Sequence, residues 1–123
     1  MKSDTFHMSM LYDFYGELLT DKQKELFDLY YNEDLSLAEI AENYAISRQG
    51  VRDTIVRAER TLEDVEEKTG LIRRFHRTRA ILGDITGLCG ELEALNEQKL
   101  HDAALADLCG RLRGAVEALE REE

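Results

Sequence analysis

Four side chains near the start of one predicted helix have the chemistry to read nucleic acid: Arg48, Gln49, Arg52 and Asp53. Arginine and glutamine are suited to the edges of guanine and adenine, and the first turn of a recognition helix is where such side chains reach the bases. Ser47 directly precedes them and joins the candidate set. The pattern therefore predicts a nucleic-acid-binding site at residues 47–53.

The stretch that must position these residues, 36–62, has the spacing of a helix-turn-helix. Ser36 is followed three residues later by Glu39, the signature of a capping box, so a first helix begins there. Ala45 then stands where such turns usually carry a left-handed glycine, at a cost of roughly 1–2 kcal/mol. Ser47 offers the N-cap of a second helix, which we expect to end at Gly70. The residues predicted to face inward are Leu37, Ile40, Ala41, Tyr44, Val51, Ile55, Ala58, Leu62 and Val65.

A second basic segment follows at residues 71–79, which hold four arginines and no acidic residue. Leu71, Ile72 and Phe75 are predicted to turn inward. The outward arginines form a candidate strip for phosphate or RNA, and Arg73, Arg74 and Arg77 enter the candidate site, with Arg79 nearby. The alternative is a solvent-exposed face whose positive charge balances that of the acidic residues between positions 63 and 67.

The overall charge opposes indiscriminate binding to DNA. The chain has 16 basic and 26 acidic side chains, a net charge of −10. Nucleic-acid-binding proteins usually carry an excess of lysine and arginine, because neutralising phosphates provides most of the non-specific affinity. Here the basic residues are concentrated in two short segments of an acidic chain, so we expect local contact with phosphate at most.

The composition indicates an all-α protein. The 123 residues include no proline or tryptophan, and apolar residues recur at helical spacing. No apolar run reaches the ~20 residues needed to cross a membrane, and the N-terminus lacks the apolar segment of a signal peptide, so we expect a cytoplasmic protein without membrane insertion. His7, His76 and His101 are scattered, so we expect no catalysis, cofactor, metal or small-molecule substrate.

Two helices are predicted before the helix-turn-helix. The first spans residues 6–19, with an apolar face formed by Met10, Leu11, Phe14, Tyr15 and Leu18. The second is capped by Thr20 with Gln23 as its capping-box partner. Its predicted core residues are Leu26, Phe27, Leu29, Tyr30 and Tyr31.

The C-terminal part contains a weak internal repeat, in which LCGEL at residues 88–92 recurs as LCGRL at 108–112. The polar segment 96–102 separates two helices that form either an antiparallel hairpin or an extended arm. Cys89 and Cys109 are interpreted as small apolar filling residues. The glycines of this region either allow close helix packing or lie on an exposed surface where no packing requires them. The stripes predicted to line the two helices are Ile81, Ile85, Leu88, Leu92 and Leu95, and then Leu105, Leu108, Leu112, Ala115 and Leu119.

Residues 8–75 resemble the YlxM family, small bacterial helix-turn-helix proteins. The resemblance covers a little over half of the chain, and the family is in turn similar to region 4 of bacterial sigma factors. The resemblance to the YlxM family implies a regulatory role associated with the signal recognition particle pathway. The matching segments are LYDFYG at 11–16, LLT at 18–20, LYY at 29–31, SLAEIAE at 36–42, SRQGV at 47–51, RAE at 57–59, LE at 62–63 and EKTGL at 67–71.

These observations predict a helix-turn-helix domain over residues 1–70 and a C-terminal helical extension over residues 71–123 packed on it. The function they favour is a regulator that contacts DNA, or the RNA or protein of the signal recognition particle, through its recognition helix. One alternative is a protein-interaction adaptor of the targeting machinery that uses the helix-turn-helix only as a scaffold, which the acidic charge favours. Another is a homodimer joined by the C-terminal helices.

Overall fold

The computed structural model describes residues 4–122, which contain α-helices and no strand. The helices of the first part are α1 (Thr5–Tyr15), α2 (Asp21–Tyr31), α3 (Leu37–Tyr44) and α4 (Arg48–Thr69). They are followed by α5 (Leu71–Leu95) and α6 (Ala103–Arg121). The all-α prediction is confirmed. The chain divides into two compact units, Met1–Ile72 and Arg73–Glu123, and each is described by itself.

Local capping signals fix where the helices begin. Thr20 and Gln23 form one complete capping box, and Ser36 and Glu39 form another, as predicted. The hydrogen bonds from Ser36 to the Glu39 carboxylate lower the pKa of that group. Gly70 ends α4 in the left-handed conformation, with φ of 61°.

The core of the first unit lies where α1, α2 and α3 pack around α4. Phe27 is fully buried and stacks on Tyr12, with ring centroids 5.0 Å apart. Burial of such side chains provides the main driving force for folding. The side chains of this core with no exposed surface are Leu11, Leu26, Phe27, Ile40, Val51, Ile55, Ala58 and Leu62.

The first helix is shorter than predicted. It ends at Tyr15, and a 3₁₀ turn covers Gly16–Leu18. Met8, Leu11 and Tyr15 face the core, whereas Phe14 and Leu18 are exposed. The change to 3₁₀ geometry alters the residue period, so Leu19 takes the buried position predicted for Leu18.

A buried tyrosine connects α1 to the end of α4. The Tyr15 hydroxyl lies 2.6 Å from a Glu66 carboxylate oxygen, to which it donates, and 2.7 Å from the Thr69 hydroxyl. The same Glu66 oxygen accepts the backbone N–H of Ile72. Burial, followed by the hydrogen bond to Glu66, raises the pKa of Tyr15 above its ordinary value of 10.0.

The second unit is an antiparallel hairpin of α5 and α6. Arg113 pairs with Glu93, and Arg79 pairs with Glu120 at 3.5 Å, which places the two helices side by side along their length. The connection is a single π turn, Asn96–Leu100. The structure thus selects the hairpin over the extended arm.

The hairpin turns a different face inward from the one predicted. Its buried hydrophobic residues are Leu82, Cys89, Cys109 and Val116, whereas most of the predicted leucine positions are exposed. The reason lies at the turn: the buried Asn96 side-chain amide donates to the Asp102 carbonyl and accepts from the Asp102 N–H. With Asn96 held between the helices, the residues seven and fourteen positions earlier also face inward.

Other side chains of the second unit follow the prediction in part. The two cysteines are buried free thiols. Gly83, Gly87, Gly110 and Gly114 have open space where a Cβ would lie, so these glycines occupy a surface rather than a helix contact. In the first unit Ile72 is buried as predicted, but Leu71 is exposed.

We expect Ala45→Gly to stabilise the protein by about 1 kcal/mol, because Ala45 has φ of 53° and glycine avoids the left-handed penalty. Thermal unfolding measures this. The matched control is Ala38→Gly on the exposed face of α3, which should destabilise by about 1 kcal/mol. Destabilisation by both variants would contradict the strain assigned to Ala45.

Tyr15→Phe should cost about 1 kcal/mol at neutral pH through the lost hydrogen bond. The Tyr15→Phe variant should also lose less stability at alkaline pH than the parent protein loses. Because the folded-state pKa of Tyr15 is raised, its contribution is complete below pH 10 and is lost as the pH rises through the folded-state value. Denaturant unfolding at pH 9 and pH 11 compares the two proteins, and equal losses in both would contradict this role.

Candidate nucleic-acid interface

The turn between α3 and α4 is held by backbone geometry and by hydrogen bonds to the Ala41 carbonyl. Ala45 is left-handed, with φ of 53° and ψ of 40°, and the Ile46 N–H donates to the Ala41 carbonyl at 3.2 Å. Ala41 is itself buried, which permits close packing of the two helices. The α4 helix then starts from a defined position.

The first turn of α4 is capped by Ser47. Its hydroxyl accepts the N–H of Gly50 at 2.9 Å, and a Cβ at position 50 would lie 3.2 Å from that same oxygen. Glycine at this position therefore keeps room for the cap. The Thr54 hydroxyl donates to the Gly50 carbonyl at 2.9 Å and reinforces the turn.

The body of α4 is anchored on its inner face. Val51, Ile55, Ala58 and Leu62 have no exposed surface. Tyr31 donates a hydrogen bond to Glu59 from the neighbouring helix α2. The helix is 22 residues long, or about 33 Å, and the buried row extends from its first turn past its midpoint.

The candidate side chains of the first unit all lie together at the exposed start of α4. Arg48, Gln49, Arg52 and Asp53 are exposed. The Gln49 amide donates to the Asp53 carboxylate at 2.9 Å, so these two side chains hold each other along the helix surface. Ser47 serves as the cap, and its hydroxyl is already engaged.

Neither Arg48 nor Arg52 forms an ion pair with any residue in the described range 4–122. Their guanidinium groups are therefore available to an anion without first losing an internal partner. The N-terminus of α4 adds partial positive charge at the same place. This combination can bind phosphate and can also present donors to a base edge.

Two further arginines on α4 were outside the predicted site. Arg57 and Arg60 are also exposed and form no ion pair within residues 4–122. Arg60 follows Gln49 and Asp53 along one side of the helix, at steps of four and seven residues. That spacing is visible in the sequence, but the prediction considered only the first turn of the helix.

The other predicted arginines belong to the second unit. Arg73, Arg74 and Arg77 are exposed near the start of α5, as predicted. Arg79 is engaged: it pairs with Glu120 and lies over the Phe75 ring, with its guanidinium carbon 5.4 Å from the ring centre. Within this unit, part of the basic strip thus has a structural role.

No group of three or more histidine, cysteine or acidic side chains within residues 4–122 could hold a metal ion. None of the helices in this range is long and apolar enough to cross a membrane.

The capped α3, the left-handed turn and the anchored α4 together define a helix-turn-helix protein. A family model described as "Putative helix-turn-helix protein, YlxM / p13 like" matches residues 2–103. The chain belongs to this family, UPF0122, and the predicted resemblance to YlxM proteins is confirmed.

Bacterial members of the family are similar over much of the chain. The UPF0122 protein of Thermoanaerobacter sp. (strain X514) is 60% identical over 74 residues, which are 60% of this chain and 63% of that protein. The chain thus matches somewhat less than two thirds of that relative's length. The UPF0122 protein of Desulforamulus reducens is 47% identical over 72% of this chain and 77% of its own length. That of Bacillus cereus (strain AH187) is 44% identical over 80% and 89%.

Ser47→Ala should destabilise the protein by about 1 kcal/mol, because the Gly50 N–H loses its cap. Ser47→Asp should retain most of the stability, since aspartate is an equally good N-cap. Denaturant unfolding measures both variants against the parent protein. Equal destabilisation by the two substitutions would show that the hydroxyl acts through something other than capping.

Proposed function

We propose that this protein is a cytoplasmic regulator that binds nucleic acid through the start of α4 and acts in the signal recognition particle pathway. The proposed contacts are made by Arg48, Gln49, Arg52 and Asp53, with Ser47 fixing the helix end. Arg57 and Arg60 extend the same surface along the helix.

The observation that carries this proposal is the pair of exposed arginines at the N-terminus of a well-anchored helix. Arg48 and Arg52 are exposed and make no ion pair within residues 4–122, whereas Val51 and Ile55 of the same helix are fully buried and fix its position. A rigid helix can place side chains at fixed distances along a groove. Such rigidity supports selective contact with a nucleic-acid groove rather than non-specific electrostatic attraction.

The acidic composition limits the mode of binding. With a net charge of −10, the protein as a whole is repelled by phosphate, and the local arginines must overcome that repulsion. Binding should therefore be weak at high ionic strength and should depend on few phosphate contacts. Each contact with duplex DNA adds about −0.9 to the slope of log K against log salt concentration.

Arg73, Arg74 and Arg77 are proposed as additional phosphate contacts of the second unit. They are exposed, and the four arginines and absent acids of residues 71–79 make this segment the most basic of the chain. Exposed arginines at a helix start suit RNA phosphates as well as DNA. The link to the particle is supported by the resemblance of the matched segments to YlxM proteins, so the particle's RNA is one of the two nucleic acids to test.

A second candidate is an adaptor that binds a basic protein of the targeting machinery. The observation that favours it is the exposed acidic surface beside the turn, where Glu39 and Glu42 of α3 are both exposed. The Glu39 carboxylate also remains charged to lower pH than usual, because Ser36 holds it. Like charges would hinder the approach of phosphate to α3 but would attract a basic partner.

The Arg48→Glu/Arg52→Glu variant should lose nucleic-acid binding by at least about 100-fold, because two phosphate or base contacts become repulsive. Fluorescence anisotropy with labelled duplex DNA and with the particle's RNA, each at about 50 and 200 mM salt, measures affinity and salt slope. The control is Lys22→Glu/Arg121→Glu, which changes the net charge equally at exposed positions outside the proposed contacts.

Equal losses in the variant and the control would indicate a general charge effect and contradict a site on α4. The absence of binding by the parent protein at low salt to both nucleic acids would reject the first proposal. If the protein component of the signal recognition particle still co-purifies with this protein after nuclease treatment, that result would then support the adaptor.

A further inference from the structure

A row of large apolar side chains on the second unit has no partner within it. We call this surface the leucine face. Its members are between 41% and 59% exposed: Ile81, Leu88, Leu92 and Leu95 of α5, and Leu108, Leu112 and Leu119 of α6. By contrast, the buried hydrophobic residues of the hairpin within residues 73–122 are Leu82, Cys89, Cys109 and Val116. The hairpin thus exposes more large apolar side chains than it buries.

The two rows lie on the same side of the hairpin. On α5 the exposed leucines precede the inward line of Leu82 and Cys89 by about a quarter turn, at 100° per residue. On α6 the exposed leucines are also rotated by about a quarter turn from the inward line, here formed by Cys109 and Val116, and again toward the preceding residue. Because the helices are antiparallel, equal rotations on the two helices point to one common face. The glycines at 83, 87, 110 and 114 lie on the opposite face, where nothing approaches them.

The leucine face has the size and shape of an interface. Its large side chains present on the order of 600 Å², compared with about 800 Å² per partner in a stable complex. A groove of about 430 Å³ lies among Leu88, Glu91, Leu92 and Leu95 and can receive side chains from another helix. Single apolar residues on a surface need no explanation, but a contiguous patch of this size marks an interaction site.

We propose that this face is covered by the same face of a second copy of the chain, which forms a four-helix bundle. Two antiparallel hairpins that join through their apolar faces are a common way to complete such a bundle. A twofold axis along the helices places α5 of one copy against α6 of the other, with all neighbouring helices antiparallel. Each copy then buries the same residues.

The charges at the edge of the face favour this arrangement. Asn96 pairs with Asp102 at the turn, so positions counted equally far from this pair on the two antiparallel helices lie at about the same height. By this count Arg111 lies at the height of position 87. In the proposed bundle, Arg111 of one copy therefore falls between Asp84 and Glu91 of the other. Arg111 is largely exposed, and its intrachain neighbour Asp107 is 3.9 Å away. Acidic residues at the edge also disfavour an anionic membrane as the occupant.

Sedimentation velocity of the full chain at micromolar concentrations tests the proposal. We expect a species of twice the chain mass of 14.1 kDa. The Leu88→Glu/Leu108→Glu variant, which alters equivalent positions of the internal repeat, should weaken dimerisation by on the order of 10,000-fold, because the twofold dimer would bury four added charges at roughly tenfold each. The matched control is Gly87→Glu/Gly110→Glu, with the same charge change one or two residues away in open space on the opposite face. This control should remain dimeric.

A second pair of variants tests the contact without disturbing the apolar residues. Arg111→Glu should weaken the dimer several-fold, and adding Asp84→Arg and Glu91→Arg should restore it. Circular dichroism confirms that each variant is folded. A monomeric parent protein at 100 µM, or a leucine variant that dimerises as well as the glycine control, would overturn the proposal. Binding of the parent protein to lipid vesicles without self-association would also overturn it.

Discussion

The first unit depends on the burial of one side of α4. Val51, Ile55, Ala58 and Leu62 have no exposed surface, and α1, α2 and α3 all pack around this row. Each large aliphatic side chain buried in this way stabilises the fold by roughly 1.5–3 kcal/mol. The same burial determines the orientation of the helix, because rotation about its axis would expose the row. The outward arginines are therefore presented as a consequence of core packing.

Local signals in the sequence were sufficient to predict most of the first unit. A capping box requires two side chains three residues apart, so Thr20 with Gln23 and Ser36 with Glu39 could be recognised without tertiary information. The left-handed Ala45 followed from its position between two periodic segments. The exception is the end of α1, where the change to a 3₁₀ turn depends on how Leu19 reaches the core.

The second unit was predicted less well because a polar residue determines its packing. A search for large apolar residues at helical spacing selects the leucine face, whereas the inward line is set by Asn96 and its two hydrogen bonds to Asp102. Small cysteines then fill the space between the helices. The placement of the arginines at the start of α4 could be anticipated from the turn, but the ligand for which they are exposed is not encoded in local spacing.

The positions of the two cysteines have a practical consequence for studying this protein. The chain contains two cysteines, both in the hairpin and both buried. A thiol-reactive reagent can reach them only when the hairpin opens, so the labelling rate reports local opening of the second unit. The helix-turn-helix contains no cysteine, so the reagent does not label it. The unmodified protein thus contains an internal probe that separates the opening of one unit from the unfolding of the other.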